Sequence, residues 1–133
     1  MWGRIDGLRV LDLGTPGPLR AELNGLVLSG AKTATAGLLE SDYRAEGEDL
    51  EHVGEHLVLV DDAGARVGEV AVTSVEVVPF AAVTWEFAQA EGEGFRSLEH
   101  WRDAHRRYWA DEGQQVADDT EVVCLYLRVV TAS

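Results

Sequence analysis

Apolar positions in this chain recur three to four residues apart in some stretches and alternate or run on in others. Leu19, Leu23, Leu26 and Val27 repeat at helical spacing behind Pro18, which suits the first position of a helix. Ser29-Gly30 ends that helix by glycine capping. Lys32 to Ala36, small and β-branched, reads as a short strand or extended turn. His56 to Val60 predicts a strand and Asp61-Asp62-Ala63-Gly64 a hairpin turn. Arg66 to Val78 predicts a longer strand, rich in Val and Thr, which Pro79 ends. Val83, Phe87 and Ala90 share one face of a short helix that Gly92-Glu93-Gly94 breaks. Ser97 is a good N-cap for the next helix, with Leu98, Trp101, His105, Tyr108 and Glu112 along one face. The apolar run from Glu121 to Val130 predicts a buried central strand.

Two stretches lack such a pattern. Residues 1–15 form an N-terminal lead-in that stops at Gly14, Pro16 and Gly17. Residues 38–54 read as an irregular acidic loop, long enough in a small domain to be functional or mobile. There are no repeats, and 133 residues suit one core, so a single domain over 1–133 is expected. The fold class is α+β: a curved mixed sheet or small β-barrel with flanking helices.

Composition narrows the class. With 46% hydrophobic and 26% charged residues the chain is globular rather than disordered. No apolar run approaches the roughly 18 residues of a membrane helix, so no membrane partner is expected. No basic stretch leads into an apolar block at the N-terminus, so a cytoplasmic location is expected. Cys124 is the only cysteine, which excludes an internal disulfide and an all-cysteine zinc site. The net charge of −13 argues against long, sequence-independent contact with nucleic acid, which uses many Lys and Arg phosphate contacts. It reads first as a solvated acidic surface, and it leaves room for a local basic pocket.

The eleven basic residues include one lysine, Lys32; the rest are arginine. A partly buried lysine can act as a base, whereas arginine stays protonated. Thr35 stands three positions on, and a hydroxyl beside a neutral amine forms a nucleophile and base pair. On spacing alone, a strand threonine and a surface charge explain the same residues. Glu91 and Glu93, among glycines at a helix end, suit acid–base work or a solvated acidic turn. Trp101, Arg102, His105, Arg106 and Tyr108 mix aromatics with cations as a nucleotide-stacking surface does, although Trp101, Tyr108 and His105 equally suit the core side of an amphipathic helix. The four histidines are too scattered for a metal site, and no cofactor is expected.

Taken in order, these segments resemble the ASCH domain family, whose fold is PUA-like. The resemblance rests on Leu28-Ser29-Gly30-Ala31-Lys32-Thr33-Ala34-Thr35 after a helix. Val78-Pro79-Phe80-Ala81-Ala82-Val83 leading into Phe87-Ala88-Gln89-Ala90-Glu91-Gly92-Glu93-Gly94 reinforces it, as does Ser97 to Tyr108 with Trp101-Arg102 and His105. It implies a cleft beside the lysine that takes nucleosides or single-stranded RNA. One bacterial branch looks like an amidohydrolase of N4-acetylcytidine and related acylated cytidines. Its catalytic trio, carried over by motif, is Lys32, Thr35 and Glu91, with Thr33, Glu93, Arg102 and His105 as ligand-binding candidates. Another branch is described as a metal-dependent ribonuclease acting on single-stranded RNA. The chain departs from the short amidohydrolase branch in its 38–54 loop, in Ala36-Gly37 after Thr35, and in the Glu-Gly-Glu-Gly form at Glu91.

Three functions follow as expectations. The first is amide hydrolysis by Thr35 with Lys32 as base and Glu91 assisting proton transfer. The second is a non-catalytic RNA or nucleotide-binding module, and the third a metal-dependent ribonuclease. A protein-interaction scaffold fits the same composition, and the sequence allows a homodimer without requiring one.

Overall fold

The computed structural model describes residues 1–130. Its strands are β1 (Arg4–Ile5), β2 (Leu8–Leu11), β3 (Ala34–Leu38), β4 (His56–Val60), β5 (Arg66–Pro79) and β6 (Glu121–Val129). They form one mixed sheet in the order β1-β2-β4-β5-β6-β3. Only β2 and β4 run parallel; the other neighbours are antiparallel. Helix α1 spans Pro18–Leu28, α2 Trp85–Ala90 and α3 Leu98–Asp111. Thr84 caps α2, its hydroxyl accepting from the Phe87 N–H, and Ser97 caps α3 in the same way through the His100 N–H.

Strand β6 shows why its sequence is apolar throughout. Successive side chains of a strand point to opposite faces. Val123, Leu125 and Leu127 join Leu57, Leu59 and the α1 residues Leu23 and Val27 in one core. Val122 and Cys124 join Phe80, Phe87 and Trp101 in a second. The sheet is thus covered on both faces, and β6 lies between β5 and β3 as a central strand.

The sheet is also curled. On a flat sheet β2 and β3 would lie about 19 Å apart, four strand spacings. Yet Leu11 of β2 and Thr35 of β3 line the same cavity.

The N-terminal lead-in is not plain coil: it supplies β1 and β2. Asp6 and Gly7, with φ of 53° and 80°, make the tight turn between them. An Asp-Gly pair is the sequence signal for such a hairpin. The acidic segment after β3 is also more ordered than its composition suggests. Leu39–Arg44 forms a wide helical turn, closed by the Ala45 N–H donating to the Glu40 carbonyl at 2.8 Å. Glu48 and Glu51 are buried rather than solvated. Arg4 and Arg9 arrive from β1 and β2 to pair with Glu48, and Tyr43 donates to Glu51. Among the described residues no helix is long and apolar enough to cross a membrane.

Candidate functional site

Lys32 lies in the turn that leaves α1. Gly30 takes a φ of 83°, closing the helix, and the Lys32 N–H donates back to the Leu26 carbonyl at 3.0 Å. The next residue ties this turn to two other elements. The Thr33 N–H donates to the Ala90 carbonyl at the end of α2, and the Thr33 carbonyl accepts from Leu127 of β6, both at 2.8 Å. The lysine side chain is thereby held inside the protein, at 2% exposure.

Glu91 and Glu93 come to it from the end of α2. The turn that delivers them requires glycine at position 92, where φ is 67° and a Cβ atom would sit 2.0 Å from the Ala31 carbonyl oxygen. Lys32 Nζ donates to Glu93 Oε2 at 2.8 Å and lies 3.6 Å from Glu91 Oε2. Glu91, also 2% exposed, accepts from Trp101 Nε1 through its other oxygen at 3.2 Å. His105 completes its surroundings, with Nε2 3.4 Å from Glu91 Oε2 and Nδ1 2.9 Å from the Trp101 carbonyl. The His105 ring stacks on Trp101, centroids 4.1 Å apart.

The two carboxyls are driven in opposite directions. Burial works against ionisation of Glu91, but His105 and the Lys32 charge overcome it and hold the carboxyl below the usual range. Burial pushes Glu93 up, and the neighbouring Glu91 adds to this against the pull of Lys32. Carboxyls whose affinities for protons are separated this way suit acid–base work.

These groups sit in a cavity of about 600 Å³. Thr35 lines it beside Lys32, Glu91, Glu93 and His105. Thr35 pairs with Leu125 across β3 and β6 and shares the sheet face opposite Ala34 and Leu38. Among the described residues the Lys32 hydrogen bond goes to Glu93 and not to Thr35. Among the described residues, four more carboxyl side chains, Asp12, Asp42, Glu46 and Glu112, line the cavity, and Lys32 is its one Lys or Arg.

Two sequence candidates stand elsewhere. Thr33 is exposed, with its hydroxyl on the Ala90 carbonyl at 3.3 Å, and Arg102 pairs with Glu99 and the Ala81 carbonyl. Neither lines the cavity. Arg106 lies over the Phe80 ring, 5.0 Å from its centroid. Conversely, Trp2, Tyr43, Phe95 and Tyr108 supply aromatic wall. Of these, Tyr108 was legible as a neighbour of His105 on one helix face; Trp2 and Tyr43 come from segments without a pattern.

Among the described residues no three His, Cys, Asp or Glu side chains gather where they would hold a metal ion. Glu91 and Glu93, the pair a divalent ion would need, already hold the Lys32 ammonium, so this donor set does not fit such an ion.

The family model described as the ASCH domain matches residues 13–131. Protein EF3133 from Enterococcus faecalis is a similar solved structure, at 32% identity and a TM-score of 0.79, over 91% of this chain and 75% of that one. An ASCH domain from Lactobacillus crispatus is 31% identical with a TM-score of 0.71, over 83% of this chain and 71% of that one. A ZmASCH variant from Zymomonas mobilis shares the fold at 14% identity and a TM-score of 0.50, over 81% of this chain and 63% of that one. No curated protein matches the chain.

Proposed function

This chain belongs to the ASCH domain family, and from that premise we propose that its cleft binds a nucleoside and hydrolyses the amide of an N4-acylated cytidine. The observation that carries the reading is a buried lysine, set between two carboxyls, in the same cavity as a strand threonine. A cavity of about 600 Å³ has room for a nucleoside. Phe95 and Tyr108 offer faces on which a base stacks. The carboxylate lining repels phosphate, which favours an uncharged nucleoside over an RNA backbone.

The chemistry uses the threonine hydroxyl as nucleophile. Thr35 Oγ1 attacks the acyl carbonyl while Lys32, in its amine form, takes the hydroxyl proton. The C–N4 bond breaks as N4 takes the proton that Lys32 accepted, cytidine leaves as the neutral amine, and water then attacks the threonine ester, its proton passing through Lys32 to Thr35 Oγ1 as the acid departs. Glu93 Oε2, 2.8 Å from Lys32 Nζ, is placed to exchange a proton with the lysine during the reaction.

Incubation of the purified protein with N4-acetylcytidine, followed by chromatography, tests the reading. Cytidine should accumulate with the wild type and stay at background with Lys32→Ala. Equal turnover by both proteins removes the role of Lys32, and no turnover by the wild type removes this substrate. In that case, salt-sensitive binding of short single-stranded RNA would favour a binding module, and chelator-sensitive RNA cleavage a ribonuclease.

A further inference from the structure

The lining of the cavity at Lys32 draws on both apolar cores. Phe95 and Tyr108, beside the charged cluster, pack on the core around Trp101. Leu11, Leu13, Leu19, Leu23 and Leu125 belong to, or pack on, the core around Leu57 and Leu59. The amide chemistry uses Lys32, Thr35 and the carboxyls, and it leaves this leucine wall without a task. Resting on the acyl-cytidine reading above, we propose that the leucine wall receives the acyl group, and that the substrate class is cytidine bearing a bulky apolar acyl group on N4, branched or aromatic, in preference to acetyl.

The register of the sheet sets the direction. Thr35 of β3 pairs with Leu125 of β6. Side chains of such partners stand on the same face, with Cβ atoms about 4.5–5.5 Å apart. A carbonyl carbon bonded to Thr35 Oγ1 therefore lies beside Leu125. N4 takes its proton from Lys32, so the base leaves that carbon on the side of Lys32, Phe95 and Tyr108. The other substituent of the carbonyl, the acyl chain, is left to the leucines. An acetyl methyl covers a small part of their surface. Each further carbon buried there gains in proportion to the apolar area it takes from water.

The wall is held in shape from several elements. Leu11 pairs with Leu59 across the parallel contact of β2 and β4, and Leu19 and Leu23 come from α1. Trp2 Nε1 donates to the Asp42 carbonyl at 2.9 Å, and the Trp2 ring meets Tyr43 edge-on with centroids 4.9 Å apart. Charge then narrows the class. Asp12, Asp42 and Glu46 line the cavity within a few positions of Leu11, Leu13 and Tyr43. An acyl chain ending in a carboxylate, such as succinyl, meets like charge there, whereas a neutral hydrocarbon chain does not.

The test measures kcat/KM for cytidines acylated on N4 with acetyl, isobutyryl, benzoyl and succinyl groups. Isobutyryl and benzoyl should exceed acetyl by about tenfold or more, and succinyl should fall below it. Leu11 and Leu19 are half-buried, so each can be enlarged without opening the core. Leu11→Phe on β2 and Leu19→Trp on α1 fill the space at the wall from two elements, so one misfolded variant leaves the other to decide. The benzoyl-to-acetyl ratio should drop about tenfold or more in either, a comparison in which the intrinsic reactivity of the two amides cancels. A wild-type preference for acetyl over both bulky groups, or a ratio that a folded variant leaves unchanged, overturns the proposal.

A second readout needs neither turnover nor nucleoside. N-methylbenzamide keeps the acyl amide and lacks the cytidine. In methyl NMR spectra it should shift the Leu11, Leu19 and Leu125 signals at lower concentration than N-methylacetamide does. No shift at these leucines overturns the proposal even if N4-acetylcytidine is hydrolysed. No hydrolysis of any of the acylcytidines overturns the cytidine half of the proposal together with the reading above, and leucine shifts would then uphold the acyl site alone.

Discussion

Lys32 Nζ and Glu93 Oε2 meet at 2.8 Å across 61 positions of sequence. One comes from the turn after α1 and the other from the turn after α2. The two turns are joined directly, by the Thr33 N–H on the Ala90 carbonyl. Anything that separates them takes the lysine from its carboxyls.

Gly92→Ala tests that joint. The new Cβ would lie 2.0 Å from the Ala31 carbonyl oxygen, at a φ of 67° that an L side chain resists. Backbone has to move, at about 1–3 kcal/mol or more. The midpoint of chemical denaturation should fall accordingly, whereas Gly94→Ala, with nothing within 4 Å of its Cβ, should lose only the strain of its own φ of 82°.

Lys32→Met tests the charge at the centre of the site. It leaves Glu91 in a nearly solvent-free position, still bonded to Trp101 and beside His105 but without the lysine that offsets the cost of its charge. Removing one member of a buried pair costs about 3–5 kcal/mol. Glu91 is held below its ordinary value of 4.5 in the folded protein. Its contribution is present above that value and is lost as pH falls toward the folded one. The gap between wild type and Lys32→Met should therefore be widest near neutrality and narrow in acid. Denaturation of both proteins along a pH series measures it, and Lys32→Met with Glu91→Gln should recover part of the loss.

How much of this was legible beforehand depended on whether the signal was local. Strand β6 announced itself through its continuous apolar run, helix α1 through its period and its closing glycine, and the Ser97 N-cap placed α3. The β1–β2 hairpin was missed although Asp6-Gly7 marked its turn, because strands of two and four residues carry too little pattern. Its parallel contact with β4 joins residues far apart in sequence and leaves no periodic trace. Motif order brought Lys32, Thr35 and Glu91 to one cavity, but it did not say which face Thr33 and Arg102 would take. Nor did it show that Glu91 would be enclosed while Glu93 keeps part of its side chain exposed. That follows from the Gly92 turn and the Trp101 contact, which exist only in three dimensions.

Glu48 supplies a prediction away from the site. The Arg4 hydrogen bond, followed by the Trp2 N–H, holds its carboxyl down to about 2 from an ordinary 4.5. A lowered carboxyl stabilises the fold above the ordinary value and loses that effect as pH falls through the folded one. The β1–β2 hairpin should therefore loosen between about pH 4.5 and pH 2. Glu48→Gln should show a shallower loss of thermal midpoint across that window than the wild type does. Parallel curves would remove Glu48 from the acid response.

The chemical claim rests on one hydroxyl, and its replacement by a methyl of the same shape is the most direct measurement. Acetate release from N4-acetylcytidine should survive Thr35→Ser within about tenfold and fall by about 10³-fold or more in Thr35→Val, with both variants folded. Release by Thr35→Val at the wild-type rate would contradict the account, because no nucleophile would then remain at the position from which the mechanism begins.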